Sequence, residues 1–211
     1  MTYEIIPAGP FATNCVLLWE KPGEAWLVDP GGDAEALFNF MARRGIRPAG
    51  VVLTHGHCDH IGALDAVLEA YPAPVWMRGA DAKWAFLPVN SIPGYYPAPP
   101  LRPATLAAAP AELAFGGVEA RVLATPGHTP GSVCLYFPSA GLLLSGDTLF
   151  AGSVGRTDLP GGDAAALMES LRGLVETLPA STLVIPGHGP TTTLREEMES
   201  NPHLEEALRN V

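Results

Sequence analysis

A chain of 211 residues, 47% hydrophobic and 16% charged, is long enough to bury a core and too apolar for a disordered protein. Its 12 basic residues against 22 acidic ones give a net charge of −10 with no basic run, which excludes a nucleic-acid binder, since phosphates need clustered Lys and Arg. No apolar run approaches the roughly 20 residues of a membrane span, and residues 1–10 lack the basic start of a signal peptide. The expectation is a cytoplasmic protein of one domain, 1–211, with no membrane partner.

In chain order, short β-type segments over 3–6, 15–19 and 25–28 come first, the last ending in the turn Asp29-Pro30-Gly31-Gly32. Asp33 is placed to cap a helix over 34–44 that Gly45 ends. Residues 51–53 read as a buried strand, followed by a helix from 59 or 60 to about 70 and a strand near 75. Six prolines with Tyr95 and Tyr96 mark 88–103 as a long surface loop of the kind that covers binding sites. Strands over 118–123, 132–137 and 142–144, a helix over 163–176, a strand over 182–185 and a helix after Pro202 complete the pattern. Strands followed by helices, twice over, predict two sheets covered by helices on their outer faces, an α/β architecture. Cys15, Cys58 and Cys134 are far apart with no C-x-x-C pair, so they are expected as free buried thiols.

The chemistry gathers at strand ends. Thr54-His55-Gly56-His57-Cys58-Asp59-His60 follows the 51–53 strand. On extended backbone His55 and His57 point to one side and can share a metal. Asp59 and His60, where the chain turns into a helix, reach a second point nearby. His128, Asp147 and His188 each follow an apolar strand and a glycine. Five of the six histidines sit in such settings, and only His203 does not. Imidazoles with carboxylates suit zinc, iron or manganese rather than calcium or magnesium.

This ordered set, H-x-H-x-D-H and then single His, Asp and His at strand ends, resembles the metallo-β-lactamase superfamily over nearly the whole chain. The resemblance implies a four-layer αβ/βα sandwich with metals at one edge of the paired sheets. It implies that His55, His57 and His128 hold one metal ion and Asp59, His60 and His188 a second. Asp147 would bridge the two, and Asp29 matches a family aspartate that supports the ligand loop. Two zinc ions are expected, with iron or manganese compatible, and Asp59 and Asp147 are the carboxylates assigned to catalysis. Water held between the ions and acidified toward neutral pH would attack the substrate carbonyl.

Asp147 stands where the common class of true β-lactamases has cysteine, which argues against that activity. Residues 145–150 and 155–163 are similar to the short glyoxalase II-like branch, hydrolases of small-molecule acyl-thioesters such as S-lactoylglutathione. Longer members of that branch grip glutathione through a lysine, a tyrosine and a C-terminal domain, for which this chain offers Arg156 and Asp158. Arg156, Tyr95 and Tyr96 are therefore the expected substrate contacts. Two other readings stay open: sulfur dioxygenation by one iron on His55, His128 and Asp147, and a non-catalytic, metal-dependent binding module.

Overall fold

The central strands of the computed structural model are apolar on both faces, and each face is covered by its own layer. The structure describes residues 1–96 and 100–209; residues 97–99 of the expected 88–103 loop and residues 210–211 lie outside it. In the first half β1 (Thr2–Ala8), β2 (Thr13–Trp19), β3 (Glu24–Val28), β4 (Arg47–Val52), β5 (Val75–Met77) and β6 (Leu106–Ala108) form one sheet in that order. The first three strands run antiparallel and β3 to β6 run parallel. Parallel neighbours need crossovers. Helix α1 (Ala34–Arg44) supplies one, and α2 (Cys58–Ile61) with α3 (Leu64–Ala70) supplies the next.

The second half contains β7 (Glu112–Phe115), β8 (Val118–Ala124), β9 (Val133–Phe137), β10 (Leu142–Gly146), the small hairpin β11 (Leu149–Phe150) and β12 (Ser153–Val154), β13 (Leu183–Pro186) and β14 (Thr192–Thr193). Its sheet order is β14-β13-β10-β9-β8-β7, with the hairpin separate. Helix α4 (Ala164–Thr177) crosses from β10 to its parallel neighbour β13, and α5 (Leu194–Ser200) and α6 (Pro202–Arg209) follow.

Side chains alternate across a strand, and the burial follows that period. Leu17, Leu27 and Val51 pack with Leu37 and Met41 of α1 and Leu64 of α3. Their neighbours Val16, Leu18, Trp26, Val28 and Val52 pack instead against Leu135, Phe137, Leu142 and Leu144 of the other sheet. Cys134, Leu143 and Val184 face Leu167 and Leu171 of α4 and Leu204 of α6. Three apolar layers between four layers of structure make the αβ/βα sandwich that the sequence led us to expect. Trp26, fully buried with its ring edge-on to Phe137 at 6.2 Å, pins the two sheets together; its truncation to Ala should cost about 3–5 kcal/mol.

Three details depart from expectation. The helix expected from about 59 to 70 breaks at Gly62, where Ala63 N–H donates to Pro30 O at 2.8 Å and the chain stays against the 29–32 turn. Asp33 does not cap α1 with its side chain; it adopts a left-handed conformation (φ 48°) and its carboxylate accepts from Gly9 N–H at 2.8 Å. Strands β6, β7, β11, β12 and β14, each four residues or fewer, and helix α5 are additional. All three cysteines are free and buried. No helix among the described residues is long and apolar enough to cross a membrane.

Candidate metal centre

Loops leaving the C-terminal ends of β3, β4, β8, β10 and β13 bring their polar side chains together. His55, His57 and His128 form one group whose donor atoms all lie within 4.8 Å of one another. Asp59, His60 and His188 form a second group on the same criterion. Asp147 stands between them: its Oδ1 is 3.3 Å from His60 Nε2, and its Oδ2 is 3.6 Å from both His128 Nε2 and His188 Nε2. Gly187 makes this approach possible, because a Cβ there would overlap Asp147 Oδ1 and crowd His60 Cε1.

The hydrogen bonds around the rings decide where their protons are. His60 Nδ1 lies 2.8 Å from Asp29 Oδ2, His128 Nδ1 2.8 Å from Arg156 O, and His188 Nδ1 3.1 Å from Phe11 O. Each of those oxygens only accepts, so each Nδ1 must donate. Thr54 gives its single hydroxyl proton to Asp29 Oδ2 at 2.6 Å, so toward His55 Nδ1 at 3.1 Å it accepts. In a neutral imidazole with Nδ1–H, Nε2 carries a bare lone pair. Four such lone pairs point into the centre. His60 Nε2 faces His188 Nε2 at 3.3 Å, His128 Nε2 faces His57 Nδ1 at 2.9 Å, and His55 Nε2 is buried without a hydrogen-bond partner. His57 can donate its Nδ1 proton to His128, but the His60–His188 contact and the unpartnered His55 Nε2 are costly unless something positive, a proton or a metal ion, lies among them.

The charge balance has the same sense. Burial, with the neighbouring rings, pushes His55 well down and His57 down to about 4, so both are neutral. Burial also opposes charge on His60, but Asp147, Asp29 and Asp59 outweigh it and hold that ring well above its ordinary range, so the carboxylates favour a positive charge at its Nε2, either a proton or a metal ion in its place. Burial raises Asp59 as well, and His60 and His188 overcome it, leaving the carboxyl ionised. Asp29, His55 and His60 also offer a third cluster of donors. The Asp29 carboxylate is already committed, however, to Thr54 N–H, the Thr54 hydroxyl and His60, so it holds the loop.

All seven expected donors are therefore in one place, and the expected substrate contacts are not equivalent. Tyr95 is 56% exposed with its ring 5.2 Å from Phe11. Tyr96, expected to share that role, is 6% exposed and packs beneath it against Phe11 and Gly62. The exposed Arg156 side chain makes a two-pronged pair with Asp158, at 2.6 and 2.7 Å, within its own loop. Cys58 is buried next to the donors but belongs to none of the groups, and burial raises its thiol to about 11. His203 is exposed on α6 and belongs to neither group.

Several working residues were not visible in the sequence. The carbonyls of Phe11 and Arg156 orient His188 and His128, and a carbonyl has no residue signature. Asn14 donates to Pro186 O and Gly189 O, both at 2.9 Å, bracketing His188. Its polar side chain in an apolar strand was the one available signal.

A family model described as "Metallo-beta-lactamase superfamily" matches residues 8–188. Among curated proteins, the "Probable metallo-hydrolase YqgX" of Bacillus subtilis is 38% identical, covering 97% of this chain and 98% of that protein. The "Hydroxyacylglutathione hydrolase GloC" of Haemophilus influenzae is 35% identical, covering 97% and 98%. Among solved structures, the BLEG-1 B3 metallo-beta-lactamase superposes with a TM-score of 0.90 at 40% identity, over 96% of this chain and 99% of that one. TTHA1623 in a di-iron-bound form superposes with a TM-score of 0.83 at 39% identity, over 94% and 98%.

Proposed function

As the chain belongs to the metallo-beta-lactamase superfamily, we propose that it is a dinuclear metal-dependent hydrolase of small acyl-thioesters such as S-lactoylglutathione. The observation that carries the reading is the set of inward lone pairs, with His55 Nε2 buried and unpartnered. Such a donor set fits a pair of cations and fits little else.

His55, His57 and His128 would hold one ion, and Asp59, His60 and His188 the other. Asp147 faces rings of both groups, which suits a carboxylate shared between two ions. Zinc is the metal we assign; iron is the alternative, supported by the di-iron form of a 39% identical neighbour. Bound ions of this kind supply Lewis acidity and acidify a water to a pKa of roughly 7.

The chain's own residues then have separate tasks. Asp29 fixes the tautomer and angle of His60 while anchoring Thr54, and so locks the loop that carries His55. Asp147 faces three rings, whereas Asp59 Oδ2 has one ring nitrogen at 3.2 Å and another at 3.9 Å. Asp59 is thereby the freer carboxylate to accept a proton released during turnover. Tyr95, exposed beside Phe11, offers an apolar surface for the substrate. Arg156 would reach a substrate carboxylate only by exchanging it for Asp158.

The thioester part of the proposal draws on the similarity to the hydroxyacylglutathione hydrolase of H. influenzae. The similarity to a B3 metallo-beta-lactamase makes a β-lactam the essential comparison, since the aspartate at 147 was expected to disfavour that activity. Steady-state assays on S-lactoylglutathione, a neutral thioester, glutathione persulfide and a β-lactam test the reading. Chelator-sensitive turnover of thioesters above the other two supports it. Turnover of the persulfide or the lactam alone, by protein replete with metal, sinks it.

A further inference from the structure

Asp81 lies in a short 3-10 turn after β5, within the segment Arg78-Gly79-Ala80-Asp81-Ala82-Lys83, which carries three charged residues. Its side chain is nevertheless completely buried. An unpaired buried carboxylate would be costly, and this one is surrounded by donors. Asp81 Oδ2 accepts from Gly56 N–H at 2.9 Å and from the Thr129 hydroxyl at 2.6 Å, and Oδ1 accepts from Gly131 N–H at 2.7 Å.

Those three partners belong to two different loops. Gly56 separates His55 from His57, while Thr129 and Gly131 follow directly on His128. One carboxylate therefore ties together the two loops that carry the first histidine group, and none of these hydrogen bonds reaches a residue of the second. The fit is close. A Cβ at Gly131 would strike the Asp81 carboxyl carbon, and one at Gly56 would crowd Asp81 Cβ at 3.2 Å. The Gly56 peptide is held from its other side too, its carbonyl accepting from Asn90 Nδ2 at 2.8 Å. The second group has its own tie, Asn14, which bridges the backbone on both sides of His188.

We infer that Asp81 is a positioning residue for one metal subsite, setting the separation of the His55–His57 loop from the His128 loop and so the affinity of that subsite alone. The inference rests on the two-ion reading above. Hydrogen-bonded supports outside the ligand set typically govern metal affinity by 10- to 100-fold, and Asp81 supports three ligands at once. Asparagine has nearly the same shape but one acceptor oxygen in place of two, so Asp81→Asn leaves the N–H of either Gly56 or Gly131 facing an NH2 group and breaks the tie between the loops whichever way the amide turns.

The test is a cobalt(II) titration of metal-free full-length protein, followed by visible absorption, with His57→Ala and His188→Ala marking which binding step belongs to which group. Asp81→Asn is expected to weaken the His57-dependent step roughly 10- to 100-fold and leave the His188-dependent step unchanged. Asn14→Ala should do the reverse. Thr129→Val, which removes one of the three bonds, should weaken the same step as Asp81→Asn by less, and Thr129→Ser should restore it. That Thr129 pair decides the matter if Asp81→Asn does not fold. Equal weakening of both steps, or an unchanged His57-dependent step, overturns the inference. A wild-type protein that binds a single ion overturns the two-ion reading instead, and the effect on the His57-dependent step still judges Asp81.

Discussion

Asp29 Oδ2 sits 2.8 Å from His60 Nδ1 and holds that ring with its other nitrogen facing the centre. The same carboxylate accepts from Thr54 N–H at 2.7 Å and from the Thr54 hydroxyl at 2.6 Å. It does so from a left-handed backbone conformation, φ 50°, that is uncommon outside glycine, asparagine and aspartate. One strained residue thus orients a ring of the second group directly and the loop of the first through Thr54.

Asp29→Asn tests that role, because asparagine tolerates the backbone but cannot accept three donors with the same oxygens. We expect metal affinity to fall roughly 10- to 100-fold and kcat to fall with occupancy. Excess metal should restore part of the activity. Asp29→Asn enzyme with unchanged affinity in a chelator competition would remove Asp29 from the account.

Asp147→Asn should cost more than any single histidine substitution, on the order of 10²-fold or more in kcat. The residue faces rings of both groups, so its loss disturbs their relative placement, whereas each histidine serves one group. Near-normal turnover with both ions retained would refute the shared-carboxylate role.

How much of this was legible in the sequence depends on what each residue needs chemically. The gathering of the seven residues was legible because a dense H-x-H-x-D-H after one strand, with single His, Asp and His after glycine at three other strand ends, has few other reasons to occur. The sandwich was legible because strands such as β2 and β10 are apolar at consecutive positions, a pattern that only a sheet covered on both faces can bury. The supports were not legible. The carbonyls of Phe11 and Arg156 act through backbone that any side chain could carry, and Asp81 stands in a segment whose composition suggests solvent. The substrate contacts divided for a similar reason: Tyr95 and Tyr96 are adjacent and alike, yet one is exposed and the other buried.

Arg156 and Asp158 give a prediction in two directions. If Arg156 reads a substrate carboxylate, Arg156→Ala should raise KM for an anionic thioester with kcat and metal content nearly unchanged, the mark of lost uniform binding. Asp158→Asn, which frees the guanidinium, should lower that KM, and a neutral thioester should respond to neither. An Arg156→Ala enzyme that weakens both substrates equally, or loses metal, means that the pair serves to hold the loop whose carbonyl orients His128.

Removing the metal should destabilise the fold, since only protons on the rings would then offset the buried carboxylates and the unpartnered His55 Nε2. A ligand at 1,000 times its Kd stabilises the native state by about 4 kcal/mol. Thermal melts of the metal-free chain should therefore lie well below those of the loaded chain and rise with added zinc. Superimposable melts would show that no cation belongs in the cluster.

The number of metal ions bound per chain tests the central claim most directly, measured by elemental analysis after reloading with zinc and after reloading with iron. The account predicts two ions in the wild-type chain and one in His188→Ala, with thioester turnover lost alongside the second ion. One ion in the fully active wild-type chain, with Asp59, His60 and His188 dispensable for turnover, would contradict it.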